Sequence, residues 1–194
     1  SDIINNKMSS GSTELEKVVI KFCGDSGDGM QLTGSQFTDT SALFGNDLAT
    51  FPDFPAEIRA PVGTVAGVSG FQVHIGNTKI HNPGDNPDVL VAMNAAALLA
   101  NLNLVHAGKT IIVDTDSFRA KDCEKAGWIG NPLTDGTLET YNLIEAPITS
   151  LTREALKDTG LDQKSIMRCK NMFALGLVYF MFNRPMEHTE KFLE

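Results

Sequence analysis

One stretch near the amino end, residues 17–44, constrains the fold more than any other. It opens Lys17-Val-Val-Ile-Lys-Phe-Cys23, a short run of β-branched and apolar residues with the composition of a buried strand. Gly24-Asp-Ser-Gly-Asp-Gly29 follows, a loop in which glycine lets the backbone take positive φ and approach a neighbour closely. Beyond it, Met30, Gly34, Phe37, Ser41 and Phe44 recur at helical spacing and give one apolar-to-small face. Strand, glycine turn and helix open a doubly wound domain, whose ligands bind in the crevice beyond the carboxyl ends of the strands. The expected fold class is α/β: a doubly wound, mostly parallel sheet with helices on both faces, built as a single domain over residues 17–183.

The rest of the chain repeats that alternation. Residues 1–16 are rich in Ser, Asn, Gly and Glu and read as a flexible tail. Residues 49–76 carry formal charge only at Asp53, Glu57 and Arg59, with prolines at Pro52, Pro55 and Pro61. Phe71, Val73 and Ile75 alternate with Gln72 and His74, so 67–75 reads as a half-exposed strand. A turn-rich connection spans 77–86. Two more buried strands of parallel type are expected at 88–93, ending at Asn94, and at 109–114. Between them 95–105 reads as a helix closed near Gly108. Residues 116–137 are polar and irregular, pinned to the body by Trp128. A strand over 138–148 ends at Pro147, and a short helix follows, capped by Ser150 or Thr152 and stopped by Gly160. The last helix, 164–182, is hydrophobic nearly all round from Met172, so it is expected to be buried within the domain or against a partner. Residues 187–194 resemble the first turns of a further amphipathic helix. The chain is therefore read as a fragment, with 184–194 beginning a linker.

Charge and cysteine usage exclude several functions. A net charge of −8, with no run of Lys or Arg, lacks the basic footprint of a nucleic-acid binder. Cys23, Cys123 and Cys169 are odd in number and widely spaced, with no Cys-x-x-Cys pair for zinc or an iron–sulfur cluster. The longest apolar run falls short of the ~18 residues a membrane span needs. No signal-peptide pattern is read in residues 1–16, and a reducing cytoplasm is the expected compartment.

Two segments stand out as candidate sites. The glycine loop is neither the Gly-x-Gly-x-x-Gly fingerprint nor a P-loop. Backbone N–H groups at a helix start favour an anion there, whereas Asp25 and Asp28 oppose one. Asp28 with Gln31 also fits a capping box, so a structural and a ligand-binding reading stand side by side. In Pro55-Ala-Glu57-Ile58-Arg59-Ala-Pro61, prolines restrict the loop and reduce the entropy lost in presenting Glu57 and Arg59. Arginine can grip a carboxylate or phosphate in a bidentate fork; alternatively the two charges neutralise each other on the surface. His74, His81, His106 and His188 have no ligand spacing and read as surface residues. Cys23 reads as a small buried hydrophobe rather than a reactive thiol. No metal site, serine triad or catalytic carboxylate pair is assigned.

Four segments, in order and at the right spacing, resemble the gamma domain of 2-oxoacid:ferredoxin oxidoreductases over residues 17–182. They are Phe22-Cys-Gly24-Asp-Ser-Gly27-Asp-Gly29-Met30, Phe54-Pro-Ala-Glu57-Ile58-Arg59-Ala-Pro61, Gly67-Val-Ser-Gly-Phe-Gln72 and Lys170-Asn171-Met-Phe-Ala-Leu-Gly176. The Ala60-Pro61 pair resembles the subfamily in which gamma is fused ahead of an alpha, pyrimidine-binding domain, as in 2-oxoglutarate-type alpha subunits. The resemblance implies decarboxylation of a 2-oxoacid on thiamine diphosphate, with electrons leaving through an iron–sulfur cluster to ferredoxin. The acyl group passes to coenzyme A. It implies an oligomeric complex containing the C-terminal alpha domain and a thiamine-binding beta subunit, with no nucleic acid and no membrane.

This chain alone is expected to be inactive. Gly27-Asp-Gly29 lacks the Asn-Asn pair that follows in a thiamine motif, and no cluster cysteines exist. Thiamine diphosphate, Mg2+ and the iron–sulfur cluster are thus expected in the complex but not in this chain. By resemblance, Gly24, Asp25, Ser26, Gly27, Asp28, Gly29 and Met30, with Glu57, Ile58 and Arg59, face the coenzyme A and substrate channel. Asn94, at a strand end, lines the same crevice. Asn171, Met172 and Phe173 sit at a domain or subunit interface. The rival expectations are a stand-alone, non-catalytic nucleotide- or acyl-CoA-binding module and a purely assembling domain.

Overall fold

The computed structural model describes residues 18–25, 48–53, 67–75 and 86–183. Ser26, Gly27, Asp28, Gly29, Met30, Glu57, Ile58, Arg59, His81 and His188 lie outside the described residues, as do the expected helix over 30–44 and both chain ends.

Six strands form one sheet: β1 (Val18–Asp25), β2 (Leu48–Asp53), β3 (Val68–Ile75), β4 (Val89–Ala92), β5 (Thr110–Asp114) and β6 (Asn142–Ala146). Their order is β2-β3-β1-β4-β5-β6. β1, β4, β5 and β6 pair in parallel, whereas β3 runs antiparallel to both β1 and β2. The sheet is therefore mostly parallel, with β3 the one reversed strand.

Among the described residues four α-helices cover it: α1 (Ala95–Asn101), α2 (Ala120–Ala126), α3 (Ile148–Leu156) and α4 (Gln163–Asn183). Strand side chains alternate between two cores because successive residues point to opposite faces. Ile20, Phe22, Val89, Val91 and Ile112 pack with Ile148 of α3 and with Ala174, Leu175 and Val178 of α4. On the other face, Cys23, Leu90, Ala92, Ile111 and Val113 pack with Ala95, Ala97 and Leu98 of α1 and Cys123 and Ala126 of α2. Helices thus lie on both faces, as the fold class requires. Full burial of each Val, Leu, Ile or Phe among them contributes roughly 1.5–3 kcal/mol.

Cross-strand contact fixes the β1–β3 register. Phe22 stands opposite Phe71, and their rings stack with centroids 5.0 Å apart. Gly70 stands opposite Cys23, and a Cβ built there would lie 2.3 Å from the carbonyl oxygen of Phe22. Only glycine fits that approach.

Several local expectations are corrected. β2 is not among the expected strands; Pro52 is tolerated there because β2 is the outer strand of the described sheet. The strand over 67–75 is not half-exposed, and His74 is not a surface residue: it is 0% exposed, with Nε2 3.3 Å from Gln72 Oε1. β3 is an interior strand, and an alternating pattern there does not reveal which face meets water. The helix over 95–105 stops at Asn101 and continues as a 3-10 turn, Leu102–Leu104. The strand over 138–148 shortens to β6. The region 116–137 is not irregular throughout, since it holds α2. That helix is closed by Gly127 in the left-handed region at φ 100°. Trp128 does pin it, donating from Nε1 to the Ala95 carbonyl at 2.9 Å.

α3 begins earlier than expected, with Pro147 rather than Ser150 or Thr152 at its cap. Its open N–H groups are met from another element: Asp114 Oδ1 accepts from Thr149 N at 3.2 Å and Asp116 Oδ2 from Ser150 N at 2.7 Å. Thr152 lies buried inside the helix, its hydroxyl donating to the Ile148 carbonyl. Within the domain the last helix is buried on one side only: Ala174, Leu175 and Val178 face the core, and Met172 and Gly176 are exposed. No helix among the described residues is long and apolar enough to cross a membrane.

Candidate functional site

The parallel arrangement brings the carboxyl ends of β1, β4 and β5 to one edge of the sheet. In doubly wound folds that edge, where the strand order reverses, holds the ligand crevice. Here β1 is the reversal point, with later strands β3 and β4 on its two sides. A cleft of about 370 Å³ opens there, and both Asp25, the last residue of β1, and Asn94, just beyond β4, line it. Two residues singled out from the sequence thus share one cavity. Gly24 is buried within β1, paired with Ser69.

Asn94 has a structural duty as well. It is the N-cap of α1, with extended backbone at φ −159° and ψ 170°, and its Oδ1 accepts from Ala97 N at 2.8 Å. Its Nδ2 donors make no hydrogen bond among the described residues.

The wall opposite comes from residues to which sequence reasoning gave no role. Arg119, Asp122 and Lys125, of α2 and its cap, line the cleft, as does Lys170 of α4. Positions 119, 122 and 125 are three apart and therefore share one helical face. Arg119 is the N-cap residue of α2, and its guanidinium grips Asp122 through Nε at 2.8 Å and Nη2 at 3.4 Å. The same carboxylate accepts from Arg119 N at 3.1 Å. The side-chain hydrogen bond from Arg119 holds the Asp122 carboxyl below its ordinary range, although partial desolvation pushes it upward. Arg119 is correspondingly raised. The signal for this wall was in the sequence: Arg-x-x-Asp-x-x-Lys ahead of Gly127, directly after the third parallel strand. Its apolar stripe, Cys123 and Ala126 alone, is too small to announce a helix.

A buried hydrogen-bond network lies beside the cleft. Asp114, at the end of β5, is 0% exposed. Besides Thr149 N, its carboxylate accepts from Thr149 Oγ1 at 2.6 Å, Ser117 Oγ at 3.1 Å and Asp116 N at 3.2 Å. Ser117, which lines the cleft, is held by that network.

Asn171, Met172 and Phe173 do not share a face. Asn171 is 1% exposed inside the domain, Met172 is 38% exposed, and Phe173 packs half-buried against the α3–α4 core.

The cysteines do not fit an iron–sulfur cluster. Cys23 and Cys123 are buried, with Sγ within 3.5–3.7 Å of backbone carbonyl oxygens, and burial pushes the Cys123 thiol up, away from the thiolate a cluster requires. Among the described residues no group of three His, Cys, Asp or Glu side chains is arranged to hold a metal ion. The described lining holds three cations, Arg119, Lys125 and Lys170, and two carboxylates, Asp25 and Asp122.

Comparison with known proteins gives the family. The family described as pyruvate ferredoxin/flavodoxin oxidoreductase matches residues 19–194. The chain belongs to that family. Within it, 2-oxoglutarate oxidoreductase subunit KorA of Mycobacterium tuberculosis is 52% identical over 179 residues, 92% of this chain. The chain spans 27% of the length of that relative. Among solved structures, the 2-oxoglutarate:ferredoxin oxidoreductase of Magnetococcus marinus, with 2-oxoglutarate, coenzyme A and succinyl-CoA bound, superposes with a TM-score of 0.60 at 26% identity. That match covers 88% of this chain and 25% of the other. The gamma subunit of a keto/oxoacid ferredoxin oxidoreductase from Geobacter sulfurreducens shares the fold at a TM-score of 0.52 and 20% identity, covering 84% of this chain and 75% of that one. The fold and the relatives thus agree on membership of this oxidoreductase family.

Proposed function

We propose that this domain forms part of the coenzyme A and 2-oxoacid channel of a 2-oxoglutarate:ferredoxin oxidoreductase alpha subunit, and helps assemble that subunit. The observation that carries the reading is the cleft at the strand carboxyl ends, where Asp25 and Asn94 face the cationic α2 wall. A relative 52% identical is a 2-oxoglutarate oxidoreductase subunit, and the Magnetococcus enzyme binds coenzyme A and 2-oxoglutarate. In this reading Ser26, Gly27, Asp28, Gly29 and Met30, with Glu57, Ile58 and Arg59, contribute to the same channel. Thiamine diphosphate, Mg2+ and the cluster belong to other parts of a cytoplasmic complex, supplied by an alpha domain and a beta subunit. Ferredoxin takes the electrons. This domain's own residues hold and orient the acyl acceptor.

The assembly role is assigned to α4. Its outward edge carries Met172 at 38% exposure beside Gly176, around which nothing lies within 4 Å of a Cβ position.

Steady-state kinetics of the assembled enzyme test the channel role. Arg59→Ala is expected to raise KM for coenzyme A by about tenfold, equivalent to 1.4 kcal/mol. Unchanged KM values for both coenzyme A and 2-oxoglutarate would remove the loop from the channel.

A further inference from the structure

The loop beyond α2 carries the most exposed large apolar side chain among the described residues. Ile129 is 109% exposed, fully open to solvent, against 46% for Leu161, the next in order. We infer that Ile129 and its apolar neighbours anchor this domain to a later domain of the same polypeptide, one that presents an apolar socket edged by Lys or Arg. This rests on the reading that the domain is one part of a longer alpha-type subunit.

A single exposed apolar residue is ordinary on a protein surface. Three observations set this one apart. First, its loop is pinned on both sides. Trp128 donates from N to the Cys123 carbonyl at 3.0 Å and from Nε1 to the Ala95 carbonyl at 2.9 Å. Beyond Ile129, the Asn131 carbonyl accepts from Thr134 N at 3.1 Å and Asp135 N at 3.0 Å, while Asn131 Oδ1 accepts from Leu133 N at 3.0 Å. A side chain presented on backbone already held loses little further freedom when a partner covers it.

Second, the apolar surface is continuous. Leu99, 37% exposed, places Cδ2 3.5 Å from where a Cβ on Gly127 would stand, and half-buried Trp128 follows that glycine and joins it to Ile129. Third, the charge beside it has one sign. Between Lys125 and Arg153 the sequence holds no Lys, Arg or His, but it holds Asp135, Glu139 and Glu145. Asp135 and Glu139 are exposed, and Asp135 Oδ2 comes within 3.2 Å of where a Cβ on Gly130, next to Ile129, would stand. An apolar centre with carboxylates at its rim selects a cationic rim opposite, because like charges brought together there would repel.

The size of the patch decides which partner covers it. Three apolar side chains fall short of the area that a separate protein needs for stable docking. A domain tethered in the same chain meets the patch at high effective concentration, so a small anchor suffices. In the relative that is 52% identical, this chain spans 27% of the length, so most of that polypeptide lies outside the matched domain.

The test uses the assembled, full-length oxidoreductase carrying Ile129→Cys, alkylated with iodoacetamide and read peptide by peptide in a mass spectrometer. Alkylation at 129 is expected to run at least about tenfold slower than in the urea-unfolded chain, as a covered position requires. Anything faster would overturn the interface. Adding Glu139→Lys is expected to speed alkylation about fivefold, since a cation would then face the cationic rim. No change would remove the basic rim from the assignment. A photoreactive benzoylphenylalanine placed at 129 should cross-link within the same polypeptide, to an apolar stretch with Lys or Arg at its edge. A cross-link to a separate subunit or to a second copy would overturn the choice of partner. Free alkylation at 129 in an enzyme whose Arg59→Ala variant shows a raised coenzyme A KM would sink the interface and leave the channel reading intact. Protection at 129 with that KM unchanged would support the interface and remove the loop from the channel.

Discussion

Asp114 and Thr149 are joined twice: the buried carboxylate accepts from both the backbone N–H and the hydroxyl of the threonine, at 3.2 Å and 2.6 Å. Through this pair the end of a parallel strand caps the helix that begins 34 residues later, counted from Asp114 to Ile148.

Thr149→Val keeps the shape but removes one donor from a buried charge, so it is expected to destabilise the chain by about 1.5–3 kcal/mol. Asp114→Ala leaves several inward donors without an acceptor and should cost more than about 3 kcal/mol. Urea denaturation followed by far-ultraviolet circular dichroism measures both; a Thr149→Val midpoint equal to wild type would refute the account.

Two glycines should respond with opposite sign. At Gly70 a methyl group would meet the Phe22 carbonyl oxygen at 2.3 Å. Backbone must shift, so Gly70→Ala is expected to destabilise by about 1–3 kcal/mol. At Gly176, inside α4, nothing lies within 4 Å of the added carbon. There alanine is expected to stabilise by about 0.5–1 kcal/mol. Thermal melts of the two variants on either side of wild type would bear this out.

Thiol labelling should divide the cysteines. Cys23 and Cys123 are buried, and the Cys123 thiol is raised mainly by desolvation, whereas Cys169 is partly exposed. Iodoacetamide at neutral pH is expected to modify Cys169 in the native chain, and Cys23 and Cys123 only after denaturation. Rapid native labelling of Cys123, read by mass spectrometry, would contradict the burial.

Acid should loosen α2 and the start of α4. The Asp122 carboxyl is held down by the Arg119 side chain, Asp135 by the Thr137 hydroxyl and Asp162 by the Ser165 backbone N–H. A carboxyl lowered by folding binds its proton more readily in the unfolded chain, so stability rises with pH across the gap. The contribution is complete above the ordinary value of about 3.9 and is lost as pH falls through the lower native values. Stability measured from pH 6 down to pH 2.5 should therefore fall less steeply in an Asp122→Asn, Asp135→Asn, Asp162→Asn variant than in wild type.

The elements legible in the sequence are those whose residues face only one kind of environment. β1, β4 and β5 read plainly because buried parallel strands are near-continuous apolar runs, such as Val89-Leu-Val-Ala92. α2 escaped notice because two apolar residues, Cys123 and Ala126, suffice to dock a helix of two turns. The true start of α3 was hidden for another reason. Its capping oxygens belong to Asp114 and Asp116, which no window around Ser150 contains. The site divides in the same way. Asp25 and Asn94 follow from the rule that ligands meet strand carboxyl ends, and that rule rests on strands that were visible. Arg119 and Lys125 belong to the helix that was not visible, so their charges carried no address.

The single parallel joint between β1 and β4 has a consequence for how the molecule matures. It is where the strands drawn from residues 18–75 meet those drawn from residues 86–146, with Phe22 set against Val91 across a long intervening chain. Phe22 and Val91 are 69 residues apart, against 49 for Phe22 and Phe71, so this joint is the longest-range pairing of the described sheet. The cleft straddles that seam: Asp25, Gly67 and Val68 come from one side, Asn94, Arg119 and Lys125 from the other. A chain caught with only one half folded therefore presents half a cavity. A complete cavity exists only in molecules that have already joined their two halves.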